Sequence, residues 1–103
     1  MNDDLNKWEA VRHDPRAIQY IENPSKELLR YAINKSFGVV HDIKNIPEDI
    51  QFEIVENTPH AIAYIQNPTE NVQEYILKNH RRLIYEIRNP CDKIKILKKI
   101  KEL

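Results

Sequence analysis

The chain holds one glycine and one cysteine in 103 residues. A lone glycine, Gly38, leaves no Gly-rich phosphate loop or dinucleotide fingerprint and little provision for tight hairpins, so the composition favours helices. A lone cysteine, Cys91, excludes an internal disulfide framework and any cysteine cluster for zinc or iron–sulfur. No apolar run nears the roughly 20 residues of a membrane-spanning helix, and the polar N-terminus does not read as a signal peptide. A soluble, cytoplasmic protein with no membrane association is therefore expected. Net charge is absent as well: 16 Lys and Arg balance 16 Asp and Glu. With 41% apolar and 31% charged residues, the chain has the composition and length of one globular domain covering 1–103.

What is present is a repeat. Asparagines stand at 23, 45, 67 and 89, three of them followed by proline (Pro24, Pro68, Pro90) and one by Ile46. Stacked on that period of 22, further columns align. They read Ala17, Val39, Ala61, Leu83; then Ile18, Val40, Ile62, Ile84; then Ile21, Ile43, Ile65, Ile87. Upstream come Asn6, Leu28, Ile50, Val72; then Ala10, Ala32, Ile54, Ile76; then Val11, Ile33, Val55, Leu77. All but Asn6 of these 24 positions are apolar, against about ten expected by chance. Spacings such as Leu28, Ala32, Ile33 mark one face of a helix, and Val39, Val40, Ile43 mark a shorter one. Ile54, Ile62, Ile65, Ile76 and Ile84 are expected at the centre of the core.

A column of Asp14, Ser36, Thr58 and His80 lies between the two helices of each unit. Its first three members are expected to cap the shorter helix with their side chains, and Pro15 and Pro59 to open it. The asparagines are expected to cap the longer helix in the same way, with proline following. Acids at Glu27, Glu48, Asp49, Glu70 and Asp92 match the positive end of the helix dipole. The period thus predicts an all-α solenoid of four 22-residue helix pairs, at about 2–24, 25–46, 47–68 and 69–90, with a capping helix over 91–103. Lys98 and Lys99 replace Ile76 and Leu77 in that last element, as a cap facing water requires. A weaker period of 44 pairs Trp8 with Phe52, Tyr20 with Tyr64 and Tyr31 with Tyr75.

Segments such as Asn67-Pro68-Thr69-Glu70-Asn71-Val72 and Asn57-Thr58-Pro59-His60-Ala61-Ile62 resemble the leucine-rich repeat variant type of short α-helical solenoid, kin to HEAT-like arrays. Similar tandem Asn-Pro units occur in bacterial and bacteriophage proteins. The resemblance implies a right-handed superhelix whose shorter helix is of the 3₁₀ type, whereas the spacing itself also allows a short α-helix. The family's best-known member has an N-terminal cysteine cluster. Nothing here corresponds to it, so no iron–sulfur site carries over.

No catalytic constellation emerges. His13, His41, His60 and His80 occupy four different columns, so the repeat builds no metal row. Cys91 has no cysteine partner; it follows Pro90 at an expected helix N-terminus, a placement that favours thiolate, but it shares the small-residue column of Ser25 and Thr69, and a nucleophile would still need a base and an oxyanion site. No nucleophile elbow or Walker pattern exists. The expectation is a non-enzyme with no cofactor, no metal and no catalytic residue.

Charge, though balanced, is unevenly placed. Residues 1–77 hold 7 basic and 13 acidic side chains; residues 78–103 hold 9 and 3. Tyr85 lies among Arg81, Arg82 and Arg88, residue types rich in interface hot spots. Arg81 and Tyr85 are four residues apart and are therefore expected to share a face, with Arg88 three beyond Tyr85. Arg81, Arg82, Tyr85, Arg88, Lys95 and Lys99 are the candidate partner-binding residues. The expected function is a protein-binding module, an adaptor or inhibitor docking on a larger, host-type protein and perhaps phage-encoded, with nucleic-acid binding through the basic end as the alternative. Head-to-tail pairing of a basic with an acidic end is a third arrangement; the sequence leaves the oligomeric state open.

Overall fold

The computed structural model describes residues 2–102, and the side chains of residues 5–100. Among the described residues all regular structure is helical, with no strand. α-Helices alternate with 3₁₀ helices along the chain: α1 (Asn2–His13), η1 (Pro15–Tyr20), α2 (Lys26–Lys35), η2 (Phe37–His41), α3 (Glu48–Asn57), η3 (Pro59–Ala63), α4 (Glu70–Asn79), η4 (Arg81–Glu86) and α5 (Asp92–Glu102). The chain divides into two compact units, Met1–Lys44 and Asn45–Leu103.

One residue makes the transition from each α-helix to the 3₁₀ helix after it. Asp14, Ser36, Thr58 and His80 share similar φ values of −147°, −150°, −140° and −144°, while ψ falls from 107° and 103° at the first two to 84° and 60° at the last two. Each donates its N–H to the carbonyl four residues back, at Ala10, Ala32, Ile54 and Ile76, ending the α-helix. Each then accepts at its own carbonyl from the N–H three residues on, at Ala17, Val39, Ala61 and Leu83, starting the 3₁₀ helix. These main-chain bonds are common to all four junctions, whatever the side chain. Only Asp14 caps with its carboxylate, accepting from the Arg16 N–H at 3.1 Å, which holds its carboxyl below the ordinary value. The expected caps at Ser36 and Thr58 are absent, and His80 makes none either. An extended φ near −145° suits any residue type, which is why histidine is accommodated.

The longer helices also start differently from the sequence expectation. Their caps lie two residues after the asparagines. Ser25 Oγ accepts from the Leu28 N–H and Thr69 Oγ1 from the Val72 N–H. The asparagines shape the loop instead. Asn23 and Asn89 adopt φ of 50° and 51°, the left-handed region that asparagine tolerates better than most residues. Asn89 also donates through Nδ2 to the Gln66 carbonyl at 2.8 Å and to Asn67 Oδ1 at 3.2 Å. The first-turn acids stand where expected, at Glu27, Glu48, Asp49, Glu70 and Asp92.

In the first unit, α1 packs on α2 and η1 on η2, while each α-helix also packs on the 3₁₀ helix that follows it. Val11, Ile18, Leu28, Leu29, Ala32, Val39 and Val40 are buried there. Asn6 and Ala10 are exposed, so two of the aligned columns begin outside the core. Trp8 covers the edge, its ring centroid 5.2 Å from that of Tyr31.

In the second unit, α3 packs on α4 and η3 on η4, and α5 closes on η4. Ile54, Ile62, Ile65, Ile76 and Ile84 are at most 5% exposed, as their columns predict. Phe52 and Tyr75 meet edge to face at 5.9 Å. Two polar side chains are buried here, Gln51 and Gln73. Gln51 Nε2 donates to the carbonyls of Ile46 and Asn67, at 2.8 and 3.2 Å, and Oε1 accepts from the Thr69 N–H at 3.1 Å. Gln73 repeats the pattern one period later. It donates to Pro68 and Asn89, at 2.9 and 3.4 Å, and accepts from the Cys91 N–H at 2.7 Å. Each amide therefore ties the loop entering its own helix to the loop entering the next.

Two stability measurements follow from this packing. Ile62→Ala, in urea denaturation, should cost about 2–5 kcal/mol, the range for a large-to-small change in a packed core; a loss below about 0.5 kcal/mol refutes the core assignment. Gln73→Leu keeps the volume but strands the Pro68 carbonyl and the Cys91 N–H, and should cost about 1–3 kcal/mol. Gln73→Glu removes the donor and buries a charge, so it should cost more at neutral pH and recover as pH falls and the carboxyl protonates. Equal loss at every pH contradicts the amide's role.

Candidate partner-binding surface

The basic end of the chain is built on η4. Its hinge, His80, donates its N–H to Ile76 at 2.7 Å and accepts from Leu83 at 2.8 Å, which sets the first turn. Ile84 and the following Ile87 are buried and anchor the segment. A 3₁₀ helix has three residues per turn. Arg82 and Tyr85 therefore share a side, and Arg81 stands over Ile84. The expectation that Arg81 and Tyr85 share a face, which assumed α-helical spacing, is corrected accordingly.

Arg81, Arg82 and Arg88 are exposed, and Tyr85 is 50% exposed. Arg81 and Arg82 line a surface cleft of about 280 Å³ together with His60, His80 and Leu83. Among the described residues, no carboxylate lines that cleft. The lysine beside Tyr85 is Lys98, whose ammonium lies 5.9 Å from the ring centroid, a cation–π distance. Lys95 and Lys99 are exposed one turn apart on α5, in the columns of Gln73 and Leu77. The structure thus joins Arg81 with Arg82, and Tyr85 with Lys98. It places Lys95 and Lys99 on α5 without a contact to Tyr85.

His60 and His80 join this surface without being among the residues the sequence marks for it. The signal for His60 lies in the period, since it stands one repeat before Arg82 in the same column. His80 stands in the column between the two helices. Lys98 belongs to the basic C-terminal third and to a column expected to face water, and its contact with Tyr85 depends on how α5 closes on η4.

Guanidinium groups, imidazoles and a half-exposed phenol can hold carboxylates, phosphates or apolar side chains. Among the described residues, no group of three or more His, Cys, Asp or Glu side chains is placed to hold a metal ion. Cys91 is half-buried, and its N–H is occupied by Gln73. No described helix is long and apolar enough to cross a membrane. No protein-family model, curated protein or solved structure matches the chain.

Proposed function

We propose that this chain is a non-enzymatic, protein-binding α-solenoid of four 22-residue repeats closed by α5, of the leucine-rich repeat variant or HEAT-like kind. In this reading it works as an adaptor or inhibitor. Three features support the repeat: the regular α–3₁₀ alternation, the four equivalent hinge residues and the two glutamine bridges one period apart. The observation that carries the binding role is the exposed Arg82–Tyr85 edge held over the buried Ile84 and Ile87. Arg and Tyr contribute much contact area and hydrogen bonding for little conformational entropy. The carboxylate-free cleft beside them favours an acidic segment of the partner.

The test uses Arg82→Glu, Tyr85→Ala and Arg88→Glu, each checked by thermal melting. The partner is captured from native lysate, identified by mass spectrometry and titrated against each variant. Hot-spot losses of 2 kcal/mol or more predict about 30-fold weaker binding with melting unchanged. If the three bind as wild type while Tyr20→Ala or Tyr64→Ala abolishes binding, the site lies elsewhere. A steep log-linear fall in affinity with salt would instead identify nucleic acid as the ligand.

A further inference from the structure

We infer that the outer face of α5 is a docking surface for the outer face of α1 of a second copy, giving head-to-tail association. The inference rests on the repeat in the reading above and is independent of its partner site. Ile96 and Ile100 are 58% and 60% exposed on α5, one turn apart, with Lys95 and Lys99 exposed on the same helix. Leu5 is 65% exposed on α1. Isoleucines exposed to this degree at i and i+4 form an apolar stripe with no covering element among the described residues.

The contacts inside each unit say what such a face takes. Within the first unit, Trp8 of α1 meets Tyr31 of α2. Within the second, Phe52 of α3 meets Tyr75 of α4, and Glu48 meets Asn71 at 3.3 Å. All three pairs advance by 23 residues, as the Glu48–Asn71 bond shows. Glu74 of α4 meets Lys93 of α5 at 3.2 Å, an advance of 19. Ile96 occupies the column of Trp8, Phe52 and Glu74. Carried forward by 23 and set back five periods, it falls on Glu9; carried forward by 19, it falls on Leu5. The face of α1 that would receive Ile96 thus holds an exposed leucine and an exposed carboxylate.

Charge selects this pairing over the alternatives. α5 carries Lys93, Lys95, Lys98 and Lys99, so two α5 faces repel each other. The sequence of α1 carries Asp3, Asp4 and Glu9 against Lys7 and Arg12, a net negative charge that attracts them, with Glu9 itself 3.6 Å from Arg12. The register places exposed apolar residues of the two helices opposite one another. Such a contact is heterologous, so a dimer formed through it leaves one α5 face and one α1 face free to add further copies.

Sedimentation velocity across a concentration series tests this with the 103-residue chain. Wild type should shift from monomer toward larger species as concentration rises, and the shift should weaken with salt. Ile96→Glu blocks only the α5 face, and Leu5→Lys blocks only the α1 face. Both positions are exposed, so melting should be unchanged. Each variant alone should stay monomeric. Mixed in equal amounts they should form a dimer of twice the monomer mass and nothing larger, because one intact α5 face meets one intact α1 face. Wild type that remains monomeric to millimolar concentration overturns the inference. So does a Leu5→Lys variant that still dimerises alone, which would mean two α5 faces pair. Either result leaves the partner site on η4 standing if Arg82→Glu and Tyr85→Ala still weaken partner binding, so the two proposals fail separately.

Discussion

A buried primary amide that faces two loops at once is the interaction on which the second unit depends. Gln51 and Gln73 are each 2% exposed. A side chain of this polarity is costly to bury unless its hydrogen bonds are made, and each makes two as donor and one as acceptor. The acceptor bond takes up the N–H of Thr69 or Cys91, the residues just before α4 and α5. The amide thus fixes where the next α-helix begins, while the core residues on the same helix fix how deeply it lies. Hydrophobic contact alone tolerates sliding by a turn. A bond to a particular N–H does not.

The glutamine column also accounts for its own interruption. One period before Gln51 the column holds Leu29, which has no amide to offer. The loop position that follows it by the same 18 residues is Pro47, which has no N–H. Apolar side chain and imino residue occur together in the sequence, so the pattern asks for no bond at that step. At the far end the column reads Lys95, a donor without acceptor capacity. The bridge as Gln51 and Gln73 make it therefore cannot be extended beyond α5.

Much of the helical fold was legible because the signals that carry it are periodic. Apolar columns located the buried isoleucines, and the proline and acid positions located helix starts. The parts that differ from expectation lie where helices meet. Ser36 and Thr58 have the right chemistry for caps, yet neither side chain makes a cap hydrogen bond. The asparagines have the right chemistry too, but Asn23 and Asn89 serve through their tolerance of positive φ. Gln51 and Gln73 escaped notice since a polar residue repeated once in a column that also holds leucine and lysine looks like surface. Only the geometry of the loops shows that two carbonyls and an N–H converge on it.

The candidate surface was less legible than the core for a reason that lies in helix type. Residue identity marked Arg81, Arg82, Tyr85 and Arg88, but which of them act together depends on whether the segment turns every 3.6 or every three residues. At three per turn, Ile84 and Ile87 share the buried line, so Arg82 and Tyr85 share another. Tight winding also leaves most of a six-residue segment in water once its anchors are placed: Arg81, Arg82, Tyr85 and Glu86 are all exposed. The α-helices have less latitude, since they carry the glutamine bridges and the Trp8–Tyr31 and Phe52–Tyr75 pairs as well as the core. Positions where a substitution leaves the fold undisturbed are therefore concentrated on the 3₁₀ segments, where only the line of buried residues is held.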